Sequence, residues 1–394
     1  MSAHLLRRSL TTTALLIAIL ALLATQALAQ PARTQVPGGQ TAAANAAGWS
    51  SLSFADGAAP TVLIATDMDF ADALTSSAVQ GLLQAPLLLT NPLALSPETS
   101  SEINRLDADD AVIFGGPDAV SNAVEAQLQA LGLTTERVMG ATRIETAVAT
   151  QQRFFPDTTA AVLARAFGTD SDRTQAFADT ISVGAYTSIS NVPVLLTDTD
   201  SLSGSTRDAL TASAIDTVTI TGGELAVSAG VANETASLGS RGTHEEQATI
   251  RVNRLAGLNR FATAVAINRD LGYDTAADSP RVILVEGQAE DAWTGGLPAA
   301  VQAGNGASMV LATGDLLLSP TFDFLFNANV PLICGPGVST VACDKALAAL
   351  QGQGTADMPP PGTTPPGDGD EEQPPADGGN PITDILDLLP LPIQ

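Results

Sequence analysis

The amino-acid sequence predicts an α/β fold of three tandem three-layer α/β/α modules, each built on a parallel sheet. Three observations carry this expectation. First, the chain repeats. FADALTSSAVQGLLQAPLLLT around Asp72 returns as FADTISVGAYTSISNVPVLLT around Asp179, with 18 residues from Asp to the closing Thr in both. IFGGPDAVS (113–121) returns as ITGGELAVS (220–228), and Gly115 and Gly222 lie 107 positions apart, as do Asp72 and Asp179. A third, worn copy reads EDAWTGGLPAAVQAGNGASMVLAT, placing Asp291 at the aspartate with 22 residues to Thr313, and then ICGPGVS (333–339). Self-similarity at a fixed period marks a repeated structural unit. Second, short apolar runs alternate with helical stripes. Third, the runs are apolar at successive positions, so both faces are covered, as in parallel sheets joined through helices.

The elements follow in order. TVLIAT (61–66), PLLLT (86–90) and AVIFG (111–115) have strand length and composition. Between the first two, Phe70, Leu74, Ala78 and Leu82 recur every four residues, the stripe of a helix. Ser96-Pro97-Glu98 is a helix start, a Ser cap with Pro at the first position. After the glycine pair, Val120, Val124, Leu128 and Leu131 share one face and Gly132 stops the helix. Crossovers are expected to be right-handed. The expected division is 30–136, 137–253 and 254–350, each just long enough to hold its own core.

The two ends differ in character. Arg7-Arg8, the apolar run LLIAILALL (15–23) and Ala27-Leu28-Ala29 read as a secretory signal over residues 1–29 and an exported protein, with no stable membrane span after cleavage. From Gln351, PPPGTTPPGDGDEEQPPADGG and ITDILDLLPLPIQ read as an acidic Pro/Gly-rich disordered tail over 351–394, too short in its apolar part to span a bilayer. In an exported chain Cys334 and Cys343, the two cysteines present, read as one short disulfide, with two free thiols as the alternative. The 394 residues carry 17 Lys+Arg against 42 Asp+Glu and a mean hydropathy of +0.19. Without a basic patch, nucleic acid is a poor partner.

A chain so poor in cations nonetheless repeats two of them in register. RVMGATRIETA (137–147) and RLAGLNRFATA (254–264) share R-x-x-G-x-x-R-x-x-T-A, with Thr146 and Thr263 closing the motif. Thr142 and Asn259 are cap residues, and Glu145 completes a capping box, so Arg143 and Arg260 fall in the first turn of a helix. A cation there opposes the helix dipole by about 0.3–1 kcal/mol. Its acceptance twice implies a nearby anion. One source is a carboxylate of the adjacent module, Asp72, Asp179 or Asp291; the other is a carboxylate or phosphate of a ligand, for which Arg offers a bidentate fork. Asp72 and Asp179 are placed in the first helical turn after a strand, favoured by the dipole and at the ligand-binding end of an open sheet. Gly115-Gly116 and Gly222-Gly223 permit a sharp strand-to-helix turn, and their N–H groups are available to an anion. They match neither a dinucleotide fingerprint nor a P-loop.

No catalytic constellation is expected. His244, in SRGTHEEQAT, is read as a loop residue without the second His that a zinc or Ser-His site needs. The acids Asp67 and Asp69 of the first copy have no counterpart in the other two, against a glycosidase pair. Aromatics make up 4% of the chain, which disfavours stacking on neutral sugars.

FADAL, PLLLT, IFGG-x-x-AVS and the arginine motif, in that order, resemble the bacterial cell-wall-binding repeat type 2 family over roughly residues 40–350. The resemblance implies three Rossmann-like modules packed about a pseudo-threefold axis, a monomer with an internal trimer in preference to a homo-oligomer. It implies a secreted, non-catalytic surface protein held without covalent linkage to an anionic cell-wall glycopolymer, with no cofactor. A structural surface-layer component and a carboxylate-dependent hydrolase are the alternatives. Local arginine clusters or bridging divalent cations are the two routes by which so acidic a protein would hold an anionic polymer. The first copy keeps only Thr41-Ala42 of the arginine motif, and the third keeps one glycine of its pair.

Overall fold

The computed structural model describes residues 31–239 and 249–358. The expected signal over residues 1–29, His244 and the part of the expected tail beyond residue 358 lie outside these residues.

A short strand β1 (Arg33–Gln35) and helix α1 (Ala42–Ser53) precede the first unit, β2 (Thr61–Thr66), α2 (Ser76–Leu83), β3 (Leu87–Thr90), α3 (Pro97–Leu106), β4 (Asp110–Phe114), α4 (Asn122–Ala130) and β5 (Thr134–Val138). The second comprises α5 (Arg143–Phe154), β6 (Ala160–Arg165), α6 (Gln175–Ser190), β7 (Val194–Thr197), α7 (Gly204–Ala212), β8 (Thr217–Thr221), α8 (Ala229–Ser237) and β9 (Arg251–Leu255). The third runs α9 (Arg260–Asp270), β10 (Val282–Glu286), α10 (Trp293–Gly296), α11 (Ala300–Ala303), β11 (Ser308–Ala312), α12 (Ser319–Leu325), β12 (Leu332–Cys334) and α13 (Thr340–Leu350).

Three four-stranded parallel sheets result, ordered β3-β2-β4-β5, β7-β6-β8-β9 and β11-β10-β12-β1. The last strand of the third sheet is thus the first strand of the chain. Arg33, Thr34 and Gln35 pair with Leu332, Ile333 and Cys334, in the place that β5 and β9 hold in the other sheets.

Strand residues alternate between two cores, as a pleat with period two requires. In the first sheet Leu63, Ala65, Leu87 and Leu89 face an inner cluster shared by all three units, while Val62, Ile64, Leu88 and Ile113 face an outer cluster with α3 and α4. The inner helices approach closely because small residues line them. Ser77 and Thr187 hydroxyls share a 2.7 Å hydrogen bond, and Gln80 donates to the Leu297 carbonyl and accepts from the Val301 N–H. Gly81 lies against the backbone of Ser188, and Gly184 against Ala300 and Ser77. The predicted stripe is therefore buried except at Leu82, which is exposed together with Leu131.

Two expectations change in the third unit and beyond. Asp291 is not the counterpart of Asp72. Thr99, Thr206 and Thr321 hydroxyls donate to the carbonyls of Leu89, Leu196 and Leu311, so Thr90, Thr197 and Ala312 are equivalent. The left-handed residues Gln84, Asn191 and Gly306 fix the same register. Counting back 18 residues from Ala312 reaches Thr294, so the spacing of the first two units holds in the third as well. The chain also stays on the body past residue 351: Asp357 accepts from the Leu317 N–H and pairs with Lys345 at 2.7 Å.

Cys334 and Cys343 form a disulfide, with Cα atoms 6.1 Å apart. It ties β12 to α13, next to the strand that closes the third sheet.

Candidate functional site: the seams between units

Each linking helix packs across a boundary. α5 follows the first sheet yet lies on β7 and α7, and α9 follows the second sheet yet lies on β11 and α12. Helix α1 does the same on β3 and α3 after the strand that ends the third sheet. The three seams therefore share one design: strand, glycine turn, capped helix.

The cap chemistry is local. Thr142 accepts from the Glu145 N–H in a full capping box, Asn259 from Ala262, and Thr41 from Ala44. Gly140 and Gly257 have no room for a side chain against the helix that follows, and their N–H groups donate to Thr146 and Thr263 at 3.0 and 3.1 Å. Both threonines are buried. At the closing seam Gly39 donates to Asn45 at 3.2 Å. Thr41-Ala42 consequently match Thr142-Arg143, not Thr146-Ala147. Asn45-Ala46 stand where Thr-Ala stands elsewhere, and the helix-start arginine is replaced by Ala42.

The first arginine of each motif holds the glycine turn. Arg137 Nη1 donates to the Gly115 carbonyl at 2.8 Å and pairs with Glu125; Arg254 Nη1 donates to Gly222 at 2.7 Å. Gln35 Nε2 reaches the Gly335 carbonyl at 3.3 Å in the same role. Hydrogen bonds from Arg137 hold the Glu125 carboxyl below its usual value.

The helix-start arginines bridge two units. Arg143 Nη1 donates to the Ala166 carbonyl at 3.0 Å, and its guanidinium lies 5.1 Å from the Phe70 ring centre and 5.0 Å from that of Phe167. Arg260 Nη1 donates to the Gly287 carbonyl at 2.8 Å and to Thr174 at 2.9 Å. Their ion-pair partners are Asp69, at 3.6 Å from Arg143, and Asp172, at 3.3 Å from Arg260. Asp72 and Asp179 are charge neighbours at longer range. The anion implied by each arginine is thus supplied by the protein, though not by the acids expected from the repeat.

Asp72 and Asp179 have a different task. Gly115 and Gly222 have φ of +100° and +91°, where a Cβ is strained. A Cβ on Gly115 would overlap the Asp72 carboxylate, and one on Gly222 would lie 2.6 Å from Asp179 Oδ2. Each aspartate therefore wedges against the bare backbone of the glycine turn. Asp179 sits in the second turn of α6, not the first, and is buried with Arg165 at 3.8 Å. Asp72 precedes a short 3-10 turn and accepts a hydrogen bond from Thr146. Burial raises both carboxyls above the ordinary 3.8. In the third unit Thr294 accepts from Asn45 at 3.1 Å in the same position. The second glycines do other work, since the carbonyls of Gly116 and Gly223 accept N–H groups of Ala119 and Val120 and of Ala226 and Val227, closing the turn ahead of the next helix.

Two clefts open beside the seams. One, of about 340 Å³, is lined by Phe70, Arg143, Phe167, Thr169 and Arg173. The other, of about 460 Å³, lies at the strand ends of the third unit and is lined by Asn45, Glu286, Asp291, Thr294 and Gly314. Asp291 is exposed there, while the buried Glu286 accepts from four backbone N–H groups: Gly287, Gln288, Ala289 and Gly314. Sequence comparison between the copies missed Asp69, Asp172 and Arg173 because the loops leading to Phe70 and Phe177 differ in length. Among the described residues no group of three or more His, Cys, Asp or Glu is placed to hold a metal ion, and no helix is long and apolar enough to cross a membrane.

This is a repeat protein of α/β units locked together at helix ends, with polar clefts at the carboxyl ends of its strands. Residues 38–125 and 137–232 match the model of cell wall binding domain 2, so the chain carries two repeats that match that family. It is similar to the N-acetylmuramoyl-L-alanine amidase LytC of Bacillus subtilis (strain 168), 27% identical over 218 residues, 55% of this chain and 39% of that protein. The amidase enhancer of the same organism is 29% identical over 146 residues, 36% of this chain and 19% of that one. The chain thus spans less than half the length of either relative. Among solved structures, Cwp8 from Clostridium difficile aligns with a TM-score of 0.68 at 23% identity, over 81% of this chain and 52% of that one. Cwp6 from the same organism aligns at 0.67 and 16% identity, over 84% and 49%. These two share the fold.

Proposed function

We propose that the chain is an exported, non-catalytic wall-binding protein that associates without covalent linkage with an anionic cell-wall glycopolymer, and that no cofactor takes part. The observation that carries this reading is the pair of cell wall binding domain matches within a body whose three units share one architecture. Mutual contact of the inner helices supports packing of the units about a threefold axis within one chain. Asp72 and Asp179 serve the fold as wedges against glycine turns, and Asp69 is taken up by Arg143 and Arg173, which argues for a binder over a carboxylate hydrolase. For the anion, Arg173 at the rim of the cleft beside Arg143 is the best seat, since its side chain stays largely exposed although it pairs with Asp69 at 3.3 Å. Clefts at the carboxyl ends of parallel strands are where ligands of open α/β sheets bind.

Co-sedimentation of the purified protein with isolated walls tests the reading. Retention should fall when anionic polymers are stripped chemically, and Arg173→Ala should weaken it without changing the melting temperature. Equal retention on stripped walls would instead favour a structural surface-layer component. Release of soluble fragments from walls by the pure protein would favour a hydrolase. Repeating the assay with chelator decides whether divalent cations bridge protein and polymer.

A further inference from the structure

The three seams share the glycine turn and the capped helix, and the closing one lacks the arginine that starts the helix at the other two. At two of them a guanidinium rests on the carbonyl of the first residue past a strand: Ala166 after β6 and Gly287 after β10. These residues are equivalent, because their N–H groups donate to the carbonyls of Thr197 and Ala312. Asp67, whose N–H donates to Thr90, is the third member of the set. The helix that should bring it an arginine begins at Ala42, one residue after the Thr41 cap. A methyl group stands where two copies place a cation.

The surroundings at this third position are those of a cation seat. Asp67 carries its own carboxylate, where its equivalents Ala166 and Gly287 carry none. Its Oδ1 is buried and has no hydrogen-bond partner among the described residues. Glu98 is close enough to act on it by charge, and its carboxylate accepts from the Thr41 hydroxyl at 3.1 Å. Burial, and then Glu98, raise the Asp67 carboxyl, a cost that a cation would remove. Met68 takes the place that Phe167 holds over the Arg143 guanidinium, and it is exposed. The seat offers the carboxylate and carbonyl of Asp67 and the carboxylate of Glu98, all of them acceptors. They match the donors of an ammonium or guanidinium group.

We propose that the closing seam binds a cationic nitrogen group carried by the glycopolymer, a free amine of an amino sugar or aminoacyl substituent, seated between Asp67, Glu98 and the Thr41 end of α1. This rests on the wall-binding reading above and specifies the polymer's charge: it bears amines as well as anions. It also addresses how a chain with 42 acids and 17 bases holds an anionic polymer when both helix-start arginines are already paired with Asp69 and Asp172.

The test uses the exported chain. The Asp67 carboxyl carbon is followed by NMR while ethylammonium, methylguanidinium or CaCl₂ is added. The organic cations should shift the Asp67 resonance and lower its titration midpoint. Ala42→Arg should abolish that response by filling the seat, and raise the melting temperature. Should that variant fail to fold, Asp67→Asn removes the seat without adding bulk and must also lose the response. In the wall assay, retention of the wild type should drop roughly tenfold on N-acetylated walls, as expected when one of several linked contacts is lost. Asp67 that ignores both organic cations, or answers only to Ca²⁺, overturns the seat. Equal retention on native and acetylated walls overturns the polymer amine while leaving wall binding intact. No retention on native walls defeats the wall-binding reading and the polymer amine together, and the NMR titration still decides the seat.

Discussion

The two arginine seams and the closing seam reach the same helix placement by different means. At the first two, a partly buried guanidinium bridges units through a carbonyl and an aspartate. At the third, strand β1 and the indole of Trp49 take over. Trp49 stands eight residues after its cap, as Thr150 and Ile267 do after theirs. It is fully buried, and its Nε1 donates to the Gly295 carbonyl at 2.7 Å. Ser53 adds a hydrogen bond to Gln302, and Arg33 an ion pair with Asp344. A Cβ on Gly335 would come within 2.9 Å of the indole. A buried aromatic covers 150–250 Å² and offers a polar handle, so it can replace an ionic bridge. The comparison teaches that the glycine turn and cap set the helix, while the seam chemistry is exchangeable.

The largest effect should come from breaking what the first two seams share. Gly222→Ala imposes a strained φ and drives a methyl group into the buried Asp179, at a cost of about 3 kcal/mol or more. Gly116→Ala, whose Cβ would meet only Met139 at 3.8 Å, should change stability by less than about 0.5 kcal/mol. Urea melts of the two variants check this contrast, and similar midpoints would contradict the wedge.

Reducing Cys334–Cys343 should loosen the closing seam selectively. A loop with a separation of 9 residues predicts a loss of about 2–3 kcal/mol. Faster hydrogen exchange should appear in β1 and β12 while the β5 and β9 edges stay protected; uniform acceleration would count against a separate role for this sheet.

Replacing an arginine sharpens the other side. Arg260→Ala removes hydrogen bonds to Gly287, Thr174 and Asp172 and should cost about 2 kcal/mol. Arg143→Ala, with one hydrogen bond and a long ion pair, should cost about 1 kcal/mol. Lysine should rescue neither, lacking the planar fork. An inverted order in thermal melts would show that stacking on Phe70 and Phe167 outweighs the bonds.

The smallest effect concerns pH. Asp72 and Asp179 titrate above 3.8 when folded, so between that value and the raised one the native state binds more protons than the unfolded chain. Stability contributed by these two sites therefore decreases as pH rises through that window. Asp179→Asn should flatten the trend. Glu125 and Asp357, lowered by Arg137 and Lys345, act oppositely and lose their contribution as pH falls through their folded values. Unchanged pH profiles in Asp179→Asn would remove the aspartate from this account.

Much was readable before any coordinates. Repetition and two-faced apolar runs gave the three parallel sheets, and the caps at Thr142 and Asn259 set the helix starts. These features are local, encoded within a few residues of where they act. The worn third copy was harder to register. Its landmark aspartate has become Thr294, and Asp291 three residues earlier imitates it.

What the chain order alone determined, then, is the unit: strand, glycine turn, capped helix, repeated. The tertiary structure decided which side chains meet across the seams. Arg143 finds Asp69, 74 positions back, and Arg260 finds Asp172, 88 back, through loops of unequal length that break the repeat register. It also decided that residues 33–35 complete the third sheet, some 299 positions from their partners. A strand edge accepts any chain that presents matching N–H and C=O groups, so pairing with β12 is settled by where the tertiary fold brings β1 and not by any signature in Arg33, Thr34 and Gln35.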